Sequence, residues 1–301
     1  METLRTLVVT KIAPLKDLHE KTVGLYTASL DRFAEYLGRE PVIDDLEDLV
    51  VATFLRWRSE NCRRLWGKKP LSRASLAKDS AHLRSIWNWC AKKRMKKTDG
   101  ELIEFPDYKR PIVPRPRPQA FTADELRRLI ETARHRKGSI KGIPAAWVWS
   151  TMIQAMFETG ARIGEILAIR WSEVDLERCQ LTFLAETRKG RIETITRAIS
   201  PQLAQRMGCS KQAPAELVWP WMDDRNGKAL YNSLRVLCRC AEVPYKSFHS
   251  IRKATASYLK AAGVSAKAQL GHASEEMAER HYYDARIVGT QSALEHLPDI
   301  G

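Results

Sequence analysis

The stretch "HSIRKATASYLKAAGVSAKAQLGHASEEMAERHYYD", residues 249 to 284, combines three histidines, two arginines and two adjacent tyrosines. Within it, His249 and Arg252 are three residues apart, so on a helix they share one face and can bind the same small anion, such as a phosphate. Surface helices with incidental basic residues show the same spacing. The interpretation therefore depends on what accompanies this pair elsewhere in the chain.

Composition favours a folded protein with a polyanionic partner. The 301 residues include 50 Lys plus Arg against 36 Asp plus Glu, a formal net charge of +14. The length fits two domains, and an apolar fraction of 44% is typical of globular proteins. The basic excess favours nucleic acid or an anionic membrane surface. The sequence contains neither a run of 18 apolar residues nor a secretory signal, so we expect a cytoplasmic protein without a membrane partner.

A proline-rich stretch divides the chain. "PDYKRPIVPRPRP", residues 106 to 118, contains five prolines and no helical period, which is typical of an extended linker. We therefore predict a helical domain of about four helices over residues 1–105, with Asp45 and Ser72 as helix N-caps, a linker over 106–120 and a second domain over 121–301. Only about 15 residues precede the first predicted helix, so no further N-terminal domain is expected.

The second domain is predicted to be mainly helical with one β-hairpin. Thr122 and Glu125 form the pattern of a capping box at a helix start. Strand-like runs on both sides of "TRKGR", residues 187 to 191, predict two antiparallel strands with Gly190 in the turn. From Pro201 onward the apolar spacing is helical again.

The cysteines give no metal-site signal. Cys238 and Cys240 are the one close pair, and two residues apart on a helix they point in different directions. We expect reduced, structural thiols. The sequence also lacks a GxxxxGK phosphate loop, paired-carboxylate metal motifs and CxxC zinc spacing, so neither a metal nor a cofactor is predicted.

A second basic motif is "TGARIGEILAIRW", residues 159 to 171. Arg162 lies next to Gly160 at the start of a predicted helix, where free N–H groups favour anions. Glu165, three residues later, can orient the Arg162 guanidinium or form an ordinary surface pair.

A third motif, "LGHASEEMAERHYY", contains His272 after a glycine and then Tyr282 and Tyr283. A tyrosine with a pKa of roughly 10 is a poor nucleophile unless positive charges stabilise the phenolate. Alone, such a pair would more often be half-buried aromatic side chains.

Taken in order, these motifs resemble the tyrosine recombinases, or phage integrase family. That family has an Arg in a "TGxRxGEhhxLxW" helix, a Lys in a β-hairpin, HxxR, Gly-His and then Tyr. The match covers roughly residues 121 to 290. The resemblance implies a mainly α fold with a small β-sheet: a helical core-binding domain, followed by an α-rich catalytic domain of the DNA breaking–rejoining type. The two would form a C-shaped clamp around duplex DNA.

The resemblance also implies roles for the matching residues. Arg162 and Arg252 would bind the scissile phosphate, His249 and His272 would hydrogen-bond to it, Lys189 would be the general acid for the leaving 5′-oxygen, Glu165 would support Arg162, and Tyr282 would be the nucleophile. Lys189 is the only lysine in the predicted hairpin.

The position of the nucleophile departs from the family pattern by one residue. The usual spacing from the Gly-His histidine is nine residues, and here the ninth position is His281. Tyr282 is the nearest tyrosine to the expected register and is the predicted nucleophile, with Tyr283 as the alternative.

The implied activity is site-specific recombination of a mobile element through a 3′-phosphotyrosine intermediate, which requires no metal, cofactor or ATP. The implied partners are double-stranded DNA with specific sites, four protomers on two such sites, and accessory DNA-bending or directionality proteins. In the first domain, Arg84 and Ser75 are candidate groove contacts. Ile287, Leu294 and Leu297 could belong to a segment exchanged between protomers or could pack on their own chain. Two alternatives stay open: a type IB topoisomerase, and a DNA-binding protein with an inactive site.

Overall fold

The chain forms two compact units, Met1–Arg115 and Pro116–Gly301. Their boundary falls inside the proline-rich stretch. The computed structural model of the protein describes residues 2–61, 71–114, 117–188, 193–221, 227–265, 270, 279 and 281–289. The helices of the described residues are α1 (Leu4–Leu7), α2 (Ala13–Leu15), α3 (Glu20–Leu37), α4 (Asp48–Asn61), α5 (Arg73–Lys92), α6 (Ala123–Arg134), α7 (Ala145–Thr159), α8 (Ile163–Ala168), α9 (Pro201–Gly208), α10 (Gly227–Cys240), α11 (His249–Ala261) and α12 (Ala285–Val288).

The first unit is helical and packs around α3, α4 and α5. Phe33, Phe54, Leu83 and Ile86 are fully buried where these three helices meet. Burial of such side chains contributes about 1.5–3 kcal/mol each and is the main force that holds the unit together.

The helix starts of this unit are partly those predicted. Ser72 caps α5, since its hydroxyl accepts a hydrogen bond from the Ser75 N–H at 3.2 Å. Asp45 was a wrong choice of cap for α4. Helix α4 begins three residues later, and the Asp45 carboxylate instead accepts from the Val42 N–H and pairs with Arg39.

The first helix begins earlier than predicted. Helical structure runs from Leu4 to Leu15, with a π-helical turn at Val8–Ile12 between α1 and α2. Leu4, Leu7, Val8 and Ile12 have helical spacing and are all buried. The expectation of about 15 residues before the first helix was wrong because this short segment, which contains Pro14, is stabilised by tertiary burial more than by its own length.

The second unit is built around α7. The sequence "AAWVWSTMIQAMFET" is apolar almost all round, and Val148, Trp149, Met152 and Met156 are fully buried. Helices α6, α9 and α11 pack against it, as expected for a helix with no polar face. The capping box at the start of α6 is confirmed: Thr122 accepts from the Glu125 N–H at 3.2 Å, and Glu125 accepts from the Thr122 N–H at 2.8 Å.

A three-stranded antiparallel sheet lies in the same unit, in the order β3 (Val174–Asp175), β4 (Gln180–Phe183) and β5 (Ile195–Ala198). Strands β4 and β5 confirm the predicted hairpin, with Leu181 opposite Arg197. Their connection, residues 184 to 194, is longer than a tight turn and begins with a 3₁₀ turn at Ala185–Thr187. Gly190 lies outside the described residues. A two-stranded sheet of β1 (Ser139–Ile140) and β2 (Ile143–Pro144) was not predicted, because two-residue strands leave no alternation to detect.

The predicted fold class, mainly α with a small β-sheet, is confirmed.

Cys238 is buried on α10 whereas Cys240 is exposed, so their thiols lie on different faces of the helix. Within the described ranges, no three His, Cys, Asp or Glu side chains are grouped as a metal site would require. Nor is any helix there both long and apolar enough to cross a membrane.

Candidate active site

The sharp turn between α7 and α8 places Arg162. Helix α7 ends at Thr159 and is followed by Gly160, which has a left-handed φ of +63°. A Cβ atom on this residue would collide with Leu270 Cδ2 and lie 3.2 Å from Thr255 Cγ2, so these side chains would have to shift. The left-handed backbone conformation is the stronger reason for glycine at this position. Two residues later, Arg162 is the N-cap of α8.

Glu165 holds Arg162 in place. Its carboxylate accepts from the Arg162 backbone N–H at 2.8 Å and from the guanidinium Nη1 at 2.9 Å. Glu165 is only 2% exposed, so the alternative of an ordinary surface pair is wrong. Burial alone would raise the pKa of Glu165, but the hydrogen bond from the Arg162 backbone and the Arg162 charge lower it. The carboxylate is therefore ionised at neutral pH.

Helix α11 carries His249 and Arg252 at its start. The Arg252 side chain is completely buried and donates to two backbone carbonyls, Gly160 at 2.6 Å and Leu270 at 2.8 Å. Its Nε has no hydrogen-bond partner among the described residues. The interpretation of this segment as an incidental surface helix is therefore wrong.

Tyr282 lies beside both residues. The centroid of the Tyr282 ring lies 5.1 Å from the centroid of the His249 ring and 5.5 Å from the Arg252 guanidinium. Tyr282 is 7% exposed and packs with Ala256 and Leu270. Tyr283 is half-buried and faces a different cation: the Lys260 ammonium lies 5.5 Å from its ring. The two tyrosines therefore occupy different environments.

Ser257 and Asp284, which the sequence did not single out, fix the backbone around Tyr282. The Ser257 hydroxyl donates to the Tyr282 carbonyl at 3.3 Å and accepts from the Asp284 N–H at 2.9 Å. The Asp284 carboxylate accepts from the Ala120 N–H at 2.7 Å and pairs with Arg286 at 2.6 Å. Burial alone would raise the pKa of Asp284, but these hydrogen bonds lower it to about 2.

His249 is neutral at physiological pH. The residue retains solvent exposure, but partial burial of its ring and the charges of Lys253, Arg252 and Arg162 lower its pKa to about 4. A neutral imidazole has one donor and one acceptor nitrogen. It can therefore accept a proton as well as donate a hydrogen bond to a phosphate oxygen.

Two further arginines, Arg188 and Arg197, lie near Glu165 and were missed by the sequence analysis. The Arg188 Nε is 3.9 Å from the Glu165 carboxylate. Arg197 is 3% exposed, and its pKa responds to the charges of Glu165, Arg252, Arg188 and Arg162. We call Arg162, Arg188, Arg197 and Arg252 the guanidinium cluster.

Three predicted site features fall outside the described residues: Lys189, His272 and the apolar pair Leu294 and Leu297. Ile287 packs against the core of its own chain. In the first unit, Arg84 donates to the Pro106 carbonyl at 2.7 Å and lies 5.5 Å from the Tyr108 ring, while Ser75 and Ser72 hydroxyls are 2.9 Å apart. Arg84 also lines a groove with Lys16, Lys92, Arg110 and Trp89.

Comparison with known proteins identifies relatives of this chain. It is 23% identical over 177 residues to tyrosine recombinase XerC of Xanthomonas axonopodis pv. citri, covering 57% of this chain and 54% of the relative. It is 27% identical over 147 residues to prophage integrase IntF of Escherichia coli K12, covering 44% and 30%. The chain spans about half, or less, of the length of the curated relatives it matches.

Solved structures share the fold. The XerH site-specific recombinase bound to palindromic difH substrate superposes with a TM-score of 0.68 at 15% identity, covering 92% of this chain and 80% of that one. A lambda integrase tetramer bound to a Holliday junction superposes with a TM-score of 0.65 at 15% identity, covering 99% and 78%. Residues 119–287, more than half of the chain, match the model of the phage integrase family. The protein therefore belongs to the phage integrase family of tyrosine recombinases.

Proposed function

We propose that the protein is a site-specific DNA recombinase that cuts and rejoins DNA through a 3′-phosphotyrosine on Tyr282. The observation that carries the proposal is the position of the Tyr282 ring, 5.1 Å from the His249 ring and 5.5 Å from the Arg252 guanidinium. A phenol beside a neutral imidazole and a buried guanidinium suits attack on a phosphodiester.

In the proposed reaction, the Tyr282 hydroxyl oxygen forms a bond to phosphorus while the bond from phosphorus to the 5′-oxygen breaks. The hydroxyl proton passes to the neutral imidazole of His249, and the 5′-oxygen takes a proton from a general acid, the role proposed for Lys189. Arg162 and Arg252 bind the nonbridging oxygens with His249 and His272, and Glu165 keeps Arg162 oriented. Attack by a free 5′-hydroxyl reverses the steps, so the energy of the cut bond is retained without a metal or nucleotide cofactor.

The proposed substrate is double-stranded DNA carrying specific recombination sites. The basic groove of Lys16, Arg84, Lys92 and Arg110 in the first unit supports a backbone-binding role for that unit. The lambda integrase neighbour is a tetramer bound to a Holliday junction, which supports assembly of four protomers on two sites. Integration or excision of a mobile element, with accessory DNA-bending or directionality proteins, is the proposed context.

The test is covalent trapping on nicked duplexes tiled from the DNA that flanks the protein's own gene. A nick near the cleavage site releases the 5′-end as a short fragment, so the phosphotyrosine accumulates as an SDS-resistant adduct. The wild-type protein should form it, Tyr282→Phe should abolish it, and Tyr283→Phe, the matched control, should retain it. An adduct lost only with Tyr283→Phe would reject Tyr282 as nucleophile. Relaxation of supercoiled plasmid lacking any such site would favour the topoisomerase alternative.

A further inference from the structure

Arg197 occupies a buried strand position, where an apolar side chain is the usual choice. It is the buried member of β5 and lies opposite Leu181, which is also completely buried. Its guanidinium lies 5.0 Å from the centroid of the Phe183 ring. The 3% exposure of Arg197 means that the whole side chain, including its charged end, is removed from water.

Nothing in the described residues pairs with this charge. None of the three guanidinium nitrogens of Arg197 has a hydrogen-bond partner there. Burial, together with the neighbouring guanidiniums, lowers the pKa of Arg197 to about 10, whereas the Glu165 charge acts in the opposite direction. The side chain therefore stays positively charged at neutral pH. A buried, unpaired charge opposes folding, because desolvation is not offset by a partner.

The rest of the guanidinium cluster is better satisfied. Arg162 is held by Glu165, and Arg252 donates to two carbonyls. Arg188 donates to the Glu193 carbonyl and lies near Glu165, although its Nε has no hydrogen bond among the described residues. Among the described residues, Glu165 is thus the carboxylate whose single negative charge acts on all four guanidiniums. The cluster therefore keeps an excess of positive charge that the described side chains do not balance.

We infer that Arg197 is an electrostatic support residue of the phosphate site, whose buried positive charge strengthens the binding of a phosphate anion between Arg162 and Arg252. In a buried environment, charges interact more strongly than in water, so Arg197 acts on the anion without touching it. The inference rests on the proposed function for the identity of the anion as a DNA phosphodiester. The shared chemistry is that of a tetrahedral oxyanion.

The opposing interpretation is that Arg197 only fills space with its aliphatic stem and packs its guanidinium on Phe183. The two interpretations differ in the effect of Arg197→Met, which keeps most of the side-chain volume and removes the charge. If Arg197 only packs, the substitution should leave phosphate binding unchanged. If Arg197 supports the phosphate site, the substitution should weaken phosphate binding and should leave the stability of the fold equal or higher.

The experiment measures thermal unfolding of the full chain as inorganic phosphate replaces chloride at constant ionic strength. For wild type, the unfolding temperature should rise with phosphate, since a ligand that binds the folded state stabilises it. For Arg197→Met, the phosphate dissociation constant from this rise should increase by about fivefold or more. Its unfolding temperature without phosphate should equal or exceed that of wild type.

The matched control is Arg206→Met. Arg206 is another arginine of this unit and is half-buried, but it donates to Gln154 at 2.6 Å and Ser150 at 3.1 Å. This variant should lose stability and keep the wild-type phosphate dissociation constant. The inference is overturned if Arg197→Met keeps that constant, if it loses stability as Arg206→Met does, or if wild type shows no phosphate-dependent rise.

Covalent trapping separates this inference from the proposed function. If wild type forms no adduct on any duplex, yet Arg197→Met still loses phosphate binding, the anion site stands and the recombinase proposal fails. If adduct forms with the wild-type rate in Arg197→Met and phosphate binding is unchanged, the recombinase proposal stands and the role of Arg197 is rejected.

Discussion

Two buried groups of arginines, one in each unit, differ in how far carboxylates balance their positive charge. In the first unit, Asp79 is 1% exposed and pairs with Arg32 at 2.6 Å and Arg58 at 3.0 Å. It also accepts from the Ser29 hydroxyl at 2.9 Å. Two guanidiniums share one carboxylate, and Arg32 is partly exposed. In the second unit, four guanidiniums share Glu165.

The contrast teaches which arginine group serves the fold. Around Asp79, no buried side-chain nitrogen or oxygen of the described residues lacks a hydrogen-bond partner, as expected of a structural network whose members must all be satisfied. The guanidinium cluster has a positive excess that no described residue neutralises, and the Arg197 side chain makes no hydrogen bond there. An arrangement that folding alone does not favour indicates selection for an anionic ligand.

The largest expected effect is in the balanced group. Asp79→Ala leaves Arg58, which is 8% exposed, without its carboxylate. Removing one member of a buried ion pair typically costs about 3–5 kcal/mol, so the free energy of unfolding should fall by that amount. Urea denaturation of the full chain measures it. A loss below about 1 kcal/mol would mean that Asp79 is not a structural centre.

The second prediction concerns Glu165→Gln. The amide oxygen can still accept from the Arg162 N–H, but the negative charge that serves the guanidinium cluster is gone. Without phosphate, the free energy of unfolding should fall by about 2 kcal/mol, because buried like charges are left uncompensated. Phosphate should then bind more tightly than to wild type.

The same unfolding series in chloride and phosphate checks this prediction. Asp79→Asn is the control, since it makes the same chemical change in the balanced group and should leave phosphate binding at the wild-type value. Weaker phosphate binding by Glu165→Gln would show that Glu165 acts by orienting Arg162 rather than by balancing charge.

These two groups also show how far the sequence could be interpreted. The order of Arg162, Glu165, His249, Arg252 and the adjacent tyrosines was visible because each falls in a short motif. Arg197 falls in none, although the alternation of Ile195, Arg197 and Ile199 places it on the inward face of a strand and could have marked it as buried.

Other features had no local signal at all. Ser257 and Asp284 act on the Tyr282 backbone through contacts that exist only once α11 and the last described segment have packed together. The bond from the Ala120 N–H to Asp284 joins residues that are 164 positions apart. Spacing rules describe neighbours along one element, so they could not reveal such pairs.

The third prediction uses Asp284, a balanced carboxylate in the same unit as the guanidinium cluster. Its pKa is lowered from 3.8 to about 2 in the folded state. The unfolded chain therefore binds the proton first, and the stabilisation is complete above pH 3.8 and lost as the pH falls towards 2. Because Arg286 is largely exposed, we expect about 1–2 kcal/mol at neutral pH.

Urea unfolding of wild type and Asp284→Asn between pH 2 and 7 measures this contribution. The difference in unfolding free energy between the two proteins should shrink as the pH falls through this window, and phosphate binding at pH 7 should be unchanged. A constant difference across the range would mean that the Asp284 charge does not stabilise the fold.

The smallest expected effect comes from Ser257→Ala, a neutral change beside the nucleophile. It removes the hydroxyl that donates to the Tyr282 carbonyl and accepts from the Asp284 N–H. The free energy of unfolding should fall by about 1 kcal/mol, and phosphate binding should not change, because no charge is removed. With the backbone less firmly held, Tyr283 should enter the site in a fraction of molecules.

Mass spectrometry of the trapped adduct would then find the DNA modification on both tyrosines, whereas wild type should carry it on Tyr282 alone. If the adduct of Ser257→Ala stays entirely on Tyr282, the guanidinium cluster itself selects the nucleophile, and the backbone contacts of Ser257 do not. The contrast between the two arginine groups would then apply to the selection of the nucleophile as well as to anion binding.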